Sequence, residues 1–118
     1  LVVAQGILES NLGKSRFAVE GNNLFGIKEY DRFEPHMHVK NSNEMIRKYF
    51  NRCESVYDYI DILTTYKIYH EFQEELLYQW LLDEINVYKL IDELEIYAED
   101  INYRSKLKKI VNGLTQLS

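Results

Sequence analysis

Apolar residues dominate the first ten positions of this chain. Leu1 to Ser10 is apolar almost throughout, and the exceptions are Gln5, Glu9 and Ser10. A helix that is apolar on nearly all sides is typically a buried one. Gly13 is a suitable residue to close it, because glycine accepts the left-handed conformation that follows many helices. We predict a buried helix that carries one carboxylate in its last turn.

The second half of the chain predicts four more helices. Apolar residues spaced at i, i+3, i+4 and i+7 are typical of a helix with one buried face. That spacing is followed by Val56, Tyr59, Ile60 and Leu63, by Phe72, Leu76, Leu77, Trp80 and Leu81, by Ile91, Leu94 and Tyr97, and by Leu107, Ile110, Val111 and Leu114. We expect the first two of these helices to face a common core, and Asn102 to cap the start of the last one.

Residues 15–50 have a different character, with turn-forming residues throughout. Gly21, Asn22, Asn23, Gly26 and the only proline, Pro35, all lie here. Such residues favour turns and interrupt regular structure. We predict loops and short strands that form a small β-lobe. The fold class is therefore mainly α (α+β), and 118 residues is the length of a single domain spanning 1–118.

Composition excludes several classes of protein. A content of 46% hydrophobic and 28% charged residues is that of an ordinary globular protein, and no apolar run has the length of a membrane span. The net charge of −5 disfavours nucleic acid as a partner, because that binding depends on neutralising phosphates. The chain begins without methionine or a charged leader, from which we expect that it is trimmed at its N-terminus from a longer protein.

Glu9 is the residue with the clearest chemical potential. Burial and the negative end of a helix dipole both disfavour its ionised form and raise its pKa. A glutamic acid that stays protonated near neutral pH can act as a general acid. By this pattern alone, however, an exposed and solvated glutamate at a helix end is the commoner case.

A family resemblance changes that balance. Residues 4–15 read AQGILESNLGKS and residues 16–28 read RFAVEGNNLFGIK, with further matching segments at 55–59, 63–66, 97–103 and 106–107. In order and spacing this resembles the bacterial N-acetylglucosaminidase superfamily of flagellar rod-assembly hydrolases and autolysins, which is glycoside hydrolase family 73-like. Within it the chain is most similar to the bacterial Bax-like proteins. The resemblance implies a lysozyme-like helical domain in which Glu9 protonates the departing sugar oxygen.

The sequence departs from the family pattern at two places. Leu12 stands where the family usually has tryptophan, which removes a flat aromatic surface beside the acid. The β-lobe of the family is often longer than the stretch from Tyr30 to Met45. Glu34 and Asp31 are both near the position expected for a second catalytic carboxylate, and Glu34 is our first choice.

The group opposite the acid has three possible forms: a base for water, a carboxylate nucleophile, or the acetamido group of the substrate itself. For the third form, the resemblance implies a role for Tyr97, whose hydroxyl could orient that group or stabilise positive charge at the sugar ring. Alternatively, Tyr97 is a core residue at a helix end. Candidates for contact with the sugars are Asn22, Asn23, Phe25, Tyr66 and Tyr69, although the two asparagines are at least as well explained as turn residues.

Histidine and cysteine offer two further kinds of site, and the sequence disfavours both. His36 and His38 would share one face of a strand and could hold a metal with Glu34 or Asp31, but no third ligand has suitable spacing. Cys53 is the only cysteine, and we expect it to be internal and not a nucleophile. We therefore predict neither a metal nor a cofactor.

The predicted function is hydrolysis of the β-1,4 linkage between N-acetylglucosamine and N-acetylmuramic acid in peptidoglycan. Two alternatives stay open: a lytic transglycosylase, and a glycan-binding module without turnover. The predicted partner is the peptidoglycan glycan strand, with no nucleic acid and no evident membrane contact. The resemblance implies action in the cell envelope, in the periplasm or outside the cell.

Overall fold

The computed structural model describes residues 1–94 and 102–116. It is mainly helical with one small sheet, as the sequence predicts. The helices and strands, in chain order, are α1 Val2–Glu9, α2 Arg16–Gly21, β1 Lys28–Glu29, β2 His36–His38, β3 Met45–Arg47, α3 Arg52–Thr65, α4 His70–Leu81, α5 Val87–Asp92 and α6 Tyr103–Gln116, with a short 3₁₀ turn at Lys67–Tyr69. The described residues form two compact units: the first unit is residues 2–60, and the second is the described residues from Asp61 onward together with Leu1.

Helix α1 begins and ends close to its predicted positions. Ala4, Gln5 and Gly6 are buried and most of the other apolar residues are partly buried, whereas Val3 is 65% exposed. The helix is therefore less completely buried than predicted, because its side at Val3 faces solvent. Gly13 closes the turn after the helix with a φ of 76°, as expected.

The predicted β-lobe is present in the first unit as a three-stranded antiparallel sheet. The central strand β3 pairs with β1 and β2, so that Ile46 faces Lys28 on one side and Met37 on the other. Ile46 is buried. Helix α2 lies within the region predicted to be loops and strands, which is a correction. Its six residues are too few to show a helical period.

Two stacked aromatic rings lie in the core of the first unit. Phe25, from the loop before β1, stacks on Tyr59 of α3 with ring centroids 4.2 Å apart and planes 7° from parallel. Both rings are buried, as is Ala18 of α2. This stack joins the loop that follows α2 to the long helix α3.

The second unit confirms part of the predicted core and corrects the face of α4. Phe72 and Gln79 are buried on this helix, whereas Trp80 is 69% exposed and Leu81 is 68% exposed. Helix α4 is thus rotated about its axis relative to the prediction, with Gln79 facing inward in place of Trp80. The reason is that the amide group of Gln79 makes hydrogen bonds inside the unit. Its Nε2 donates to the Asn86 carbonyl (3.1 Å) and its Oε1 accepts from the Asn86 amide (2.8 Å), which fixes the turn into α5.

The last two described helices follow the predicted pattern in part. Leu107 and Val111 of α6 are buried as predicted, and so are Ile91 and Leu94. Helix α5 begins earlier than predicted and ends at Asp92, so Leu94 lies beyond it. Helix α6 begins directly after Asn102, whose carbonyl accepts the Lys106 amide at 2.9 Å. Within residues 1–94 and 102–116, no helix combines the length and the apolar character needed to cross a membrane.

Candidate active site

Glu9 is the last residue of α1, where its carboxylate reaches solvent at the end of an otherwise largely apolar helix. The side chain is nevertheless partly desolvated, and this burial raises the pKa of Glu9 above its ordinary value of 4.5. A carboxyl group with a raised pKa keeps its proton to higher pH. Glu9 therefore combines access to solvent with a tendency to remain protonated.

The turn that follows Glu9 is held by Ser10. Its hydroxyl donates to the Gly6 carbonyl (2.5 Å) and accepts the Gly13 amide (2.8 Å). Asn11, Leu12 and Gly13 then have φ angles of 52°, 59° and 76°. Left-handed backbone is costly for residues other than glycine, so Asn11 and Leu12 in succession need this support. Ser10 thus fixes the chain immediately beyond the carboxylate.

An apolar groove of about 300 Å³ runs beside α1 within the first unit. Its lining includes Gly6, Ser10, Leu12 and Phe25. Leu12 is 66% exposed at this groove, so an aliphatic side chain takes the place of the aromatic surface usual in the family. A Cβ atom at Gly6 would lie 3.4 Å from the Phe25 ring, which shows how closely this ring approaches the helix.

Asn22 and Asn23 are both used by the first unit to hold its own backbone. Asn22 Nδ2 donates to the carbonyls of Tyr49 (3.0 Å) and Phe50 (3.1 Å). Asn23 is 1% exposed; its Nδ2 donates to the Ile27 and Arg47 carbonyls, and its Oδ1 accepts the Phe25 and Ile27 amides. The structure favours the turn interpretation for both asparagines. Asn23 in particular has no free hydrogen-bonding capacity for a sugar.

Glu34 and Asp31 lie on the loop of residues 30–35, between β1 and β2, and both are exposed. The Asp31 carboxylate accepts a hydrogen bond from the Phe33 amide at 3.0 Å. The backbone carbonyl of Asp31 accepts one from the Glu34 amide, also at 3.0 Å. Glu34 lines a cavity of about 480 Å³ together with Glu29, Arg47, Tyr49 and Asp58. Of the two candidate carboxylates, Glu34 is the one that faces this cavity.

The same cavity contains a network of charged groups that sequence reasoning missed. Arg47 Nε donates to Glu29 Oε2 (2.9 Å), and Arg47 Nη1 donates to Asp58 Oδ2 (2.5 Å). The Tyr49 hydroxyl donates to the same Asp58 oxygen at 2.5 Å. These residues come from β1, β3, the loop after β3, and α3, so no sequence spacing relates them. The resemblance covered residues 55–59 but assigned no role to Asp58.

The pKa shifts in this network have identifiable causes. Partial burial alone would lower the pKa of Arg47, but the hydrogen bond and negative charge of Asp58 outweigh it, so the net pKa is raised. Burial raises the pKa of Tyr49, and the hydrogen bond and charge of Asp58 raise it further. Arg47 therefore remains a cation and Tyr49 a neutral donor across the physiological range.

The tyrosine candidates belong to the second unit or lie outside the described residues. Tyr66 precedes the 3₁₀ turn with its side chain exposed, and its carbonyl accepts Gln73 Nε2 at 2.9 Å. Tyr69 is half-buried, and this burial raises its pKa. Tyr97 lies outside the described residues, so its proposed role stays a prediction.

The residues considered as metal ligands or nucleophile have ordinary surroundings. The rings of His36 and His38 lie on one face of β2 as predicted, with centroids 5.0 Å apart. In the part of the chain that the structure describes, no three His, Cys, Asp or Glu side chains gather as a metal site would require. Cys53 is exposed, which corrects the expectation of an internal cysteine; it lies in the first turn of α3 between two other exposed residues.

The comparison with protein families agrees with these features. Residues 1–116 match the glucosaminidase family, described as mannosyl-glycoprotein endo-β-N-acetylglucosaminidase. The match covers nearly the whole chain, and the chain belongs to this family. It is therefore a glycoside hydrolase by family, as predicted. The closer likeness to Bax-like proteins stays a prediction. No curated protein matches the sequence significantly.

Solved structures with the same fold come from several bacteria. The catalytic domain of the autolysin Auto from Listeria monocytogenes is 27% identical, with a TM-score of 0.71 over 99% of this chain and 73% of that one. A peptidoglycan hydrolase from Sphingomonas sp. A1 is 23% identical, with a TM-score of 0.69 over 94% and 72%. The glycoside hydrolase domain of FlgJ from Salmonella typhimurium is 21% identical, with a TM-score of 0.66 over 98% and 74%. The predicted lysozyme-like, mainly α fold class is confirmed.

Proposed function

We propose that this protein hydrolyses the β-1,4 linkage between N-acetylglucosamine and N-acetylmuramic acid in peptidoglycan, with Glu9 as the general acid. The observation that carries the proposal is the state of Glu9, a solvent-accessible carboxyl group whose pKa is raised by partial burial. A general acid must hold a proton and reach the leaving oxygen. The raised pKa of Glu9 favours its protonated form, and its exposed position leaves it open to a substrate, so both features support this role. Membership of the glucosaminidase family and the likeness to an autolysin domain support this substrate class.

The second catalytic group in this proposal is Glu34, with Asp31 as the next choice. Glu34 supports this role better, because it lines a polar cavity while the Asp31 carboxylate holds the turn of its own loop. A carboxylate here would act as a base for water or as a nucleophile. If the acetamido group of the substrate acts instead, Tyr97 is the residue proposed to orient it.

Contacts with the glycan are assigned to fewer residues than the sequence predicts. Phe25 borders the groove beside α1, but its ring is buried and stacked on Tyr59, which supports a core role better than a sugar contact. Tyr66, which is exposed, and Tyr69 could stack on sugar rings, as aromatic side chains commonly do. Peptidoglycan strands are the proposed partner, and the cell envelope, in the periplasm or outside the cell, is the proposed place of action.

Replacing Glu9 by glutamine tests the proposal directly. Glutamine keeps the shape of the side chain but cannot donate a carboxylic proton, so turnover of purified peptidoglycan should fall by roughly a hundred- to ten-thousand-fold. Glu71→Gln, at an exposed carboxylate in the first turn of α4, is the matched control and should leave the rate unchanged. A folded Glu9→Gln variant that retains more than about a tenth of the wild-type rate would contradict the role of Glu9.

A further inference from the structure

The loop of residues 30–35 is attached at its start through a single carboxylate. Oε1 of Glu29 accepts the amides of Tyr30 and Asp31, both at 3.1 Å. The other oxygen, Oε2, accepts Arg47 Nε at 2.9 Å. Glu29 is 8% exposed, so its charge is largely removed from water and depends on these partners.

The far end of the loop of residues 30–35 is attached to the residue that follows β3. The Lys48 amide, one residue beyond Arg47, donates to the Pro35 carbonyl at 3.0 Å. Both ends of the loop therefore depend on the end of β3. Within the loop, Asp31 bonds to Phe33 and Glu34, so the position of Glu34 follows from where the loop starts.

Arg47 itself is held by α3. Its guanidinium bridges Glu29 and Asp58, and Asp58 also accepts the hydroxyl of Tyr49. A planar guanidinium can direct separate N–H groups to two carboxylates at fixed angles, which a lysine ammonium does not reproduce. Through this bridge, the fourteen-residue helix α3 fixes the position of the first residues in the loop of residues 30–35.

We infer that Arg47 is a positioning residue which, through Glu29 and Asp58, fixes the loop of residues 30–35 and thereby places Glu34 for the reaction. This inference rests on the proposed function. Arg47 does not need to touch the substrate in this role. Its guanidinium is already shared between two carboxylates, and its contribution reaches the reaction through the backbone of the loop.

Amide hydrogen exchange of the full chain tests the placement of the loop without any substrate. In Arg47→Met, the Glu29 carboxylate loses its charged partner, and protection of the Tyr30 and Asp31 amides should fall about tenfold or more, since protection reports local opening. Lys28→Met is the matched control, because Lys28 pairs with Glu44 at 3.2 Å in the same sheet but both side chains are half-exposed. It should leave those amides unchanged.

Kinetics on a soluble peptidoglycan fragment test the consequence for the reaction. A misplaced catalytic group lowers kcat more than it raises KM, so Arg47→Met should reduce kcat by up to about a hundredfold with KM nearly constant. Arg47→Lys should fall between the wild type and Arg47→Met, because it restores the charge without the fork.

The outcomes separate this inference from the proposed function. Unchanged protection of Tyr30 and Asp31 in Arg47→Met, or unchanged kcat with lost protection, overturns the positioning role. If Arg47→Met does not fold, Arg47→Lys decides by the same two measurements. An active Glu9→Gln variant would instead contradict the proposed function, and the exchange measurement would then decide the placement of the loop alone.

Discussion

A general acid in a glycosidase must be protonated in the free enzyme and accessible to the bond that it helps to break. These demands conflict, because burial raises a carboxyl pKa while it restricts access. The position of Glu9 as the last residue of α1 suits the role proposed for it, because the helix partly buries the side chain while the residue stays exposed. Three residues with left-handed backbone, Asn11, Leu12 and Gly13, form the turn that follows it.

The raised pKa of Glu9 predicts how stability depends on pH. Because its pKa is raised, the folded chain binds the Glu9 proton more tightly than the unfolded chain, whose Glu9 has the ordinary pKa of 4.5. The contribution of Glu9 to the free energy of unfolding is therefore lost as pH rises through its folded pKa. Relative to wild type, Glu9→Gln should become more stable with rising pH until that pKa is passed. Urea denaturation at a series of pH values measures this difference, and a constant or decreasing difference would contradict it.

Asn23 predicts a large loss of stability for a small chemical change. Asn23→Asp keeps both acceptor bonds at Oδ1 but loses the two donor bonds to the Ile27 and Arg47 carbonyls, at 2.9 and 2.8 Å. It also places a buried carboxylate beside two carbonyl oxygens. We expect a loss of about 2–3 kcal/mol in the free energy of unfolding, since unsatisfied buried groups cost about 1–3 kcal/mol each. A loss below about 0.5 kcal/mol in urea denaturation would show that the side chain is not needed in the turn.

The single residues of the site differ in how far sequence could predict them. Glu9 could be located because it is the one carboxylate in an apolar segment, and the family motif supplied its chemistry. The choice between turn and substrate contact for Asn23 required its four bonding partners. Arg47 and Asp58 could not be related at all, because only the fold brings β3 against α3.

Glycines give a matched test at the level of helices and turns. Gly13 has a φ of 76°, and a Cβ there would lie 2.9 Å from Arg52 Nη1. Gly113 lies within α6 with open space around it. Gly13→Ala should therefore lower the free energy of unfolding by about 1–2 kcal/mol, whereas Gly113→Ala should raise it by about 0.5–1 kcal/mol.

Gly26→Ala serves as the control for these two changes. Gly26 also has a positive φ, 69°, but a Cβ atom added there would have no neighbour within 4 Å. The change in the free energy of unfolding of Gly26→Ala therefore measures the cost of left-handed backbone alone, without a steric contact. If urea denaturation shows Gly13→Ala and Gly113→Ala shifting stability in the same direction, the conformations assigned to these turns and helices are wrong.

Periodicity predicted the long elements better than the short ones. The apolar spacing in α3 and α6 identified both helices, and a motif of turn residues indicated the β-lobe. Helix α2 was missed because its six residues include no full apolar repeat. The prediction of which face of α4 is buried was wrong, because apolar periodicity favours burying Trp80 and not Gln79. The turn into α5 instead requires the amide group of Gln79.

At the scale of the whole molecule, family membership and fold agree on a glycoside hydrolase. The fold alone does not fix the reaction, because hydrolysis and transglycosylation both begin with protonation of the departing oxygen by an acid. They differ in which sugar loses the departing oxygen from its anomeric carbon, N-acetylglucosamine or N-acetylmuramic acid, and in what then attacks that carbon. Water gives a reducing sugar, whereas attack from within the muramic acid gives a 1,6-anhydro ring.

Analysis of the products from digested peptidoglycan therefore distinguishes hydrolysis from transglycosylation. Hydrolysis should give fragments with N-acetylglucosamine at a new reducing end, which are heavier by one water than the corresponding anhydro fragments and are reduced by borohydride. Mass spectrometry before and after reduction measures both properties. Mainly 1,6-anhydro-muramic ends would contradict hydrolysis, and wall binding by the folded chain without any released fragment would contradict catalysis.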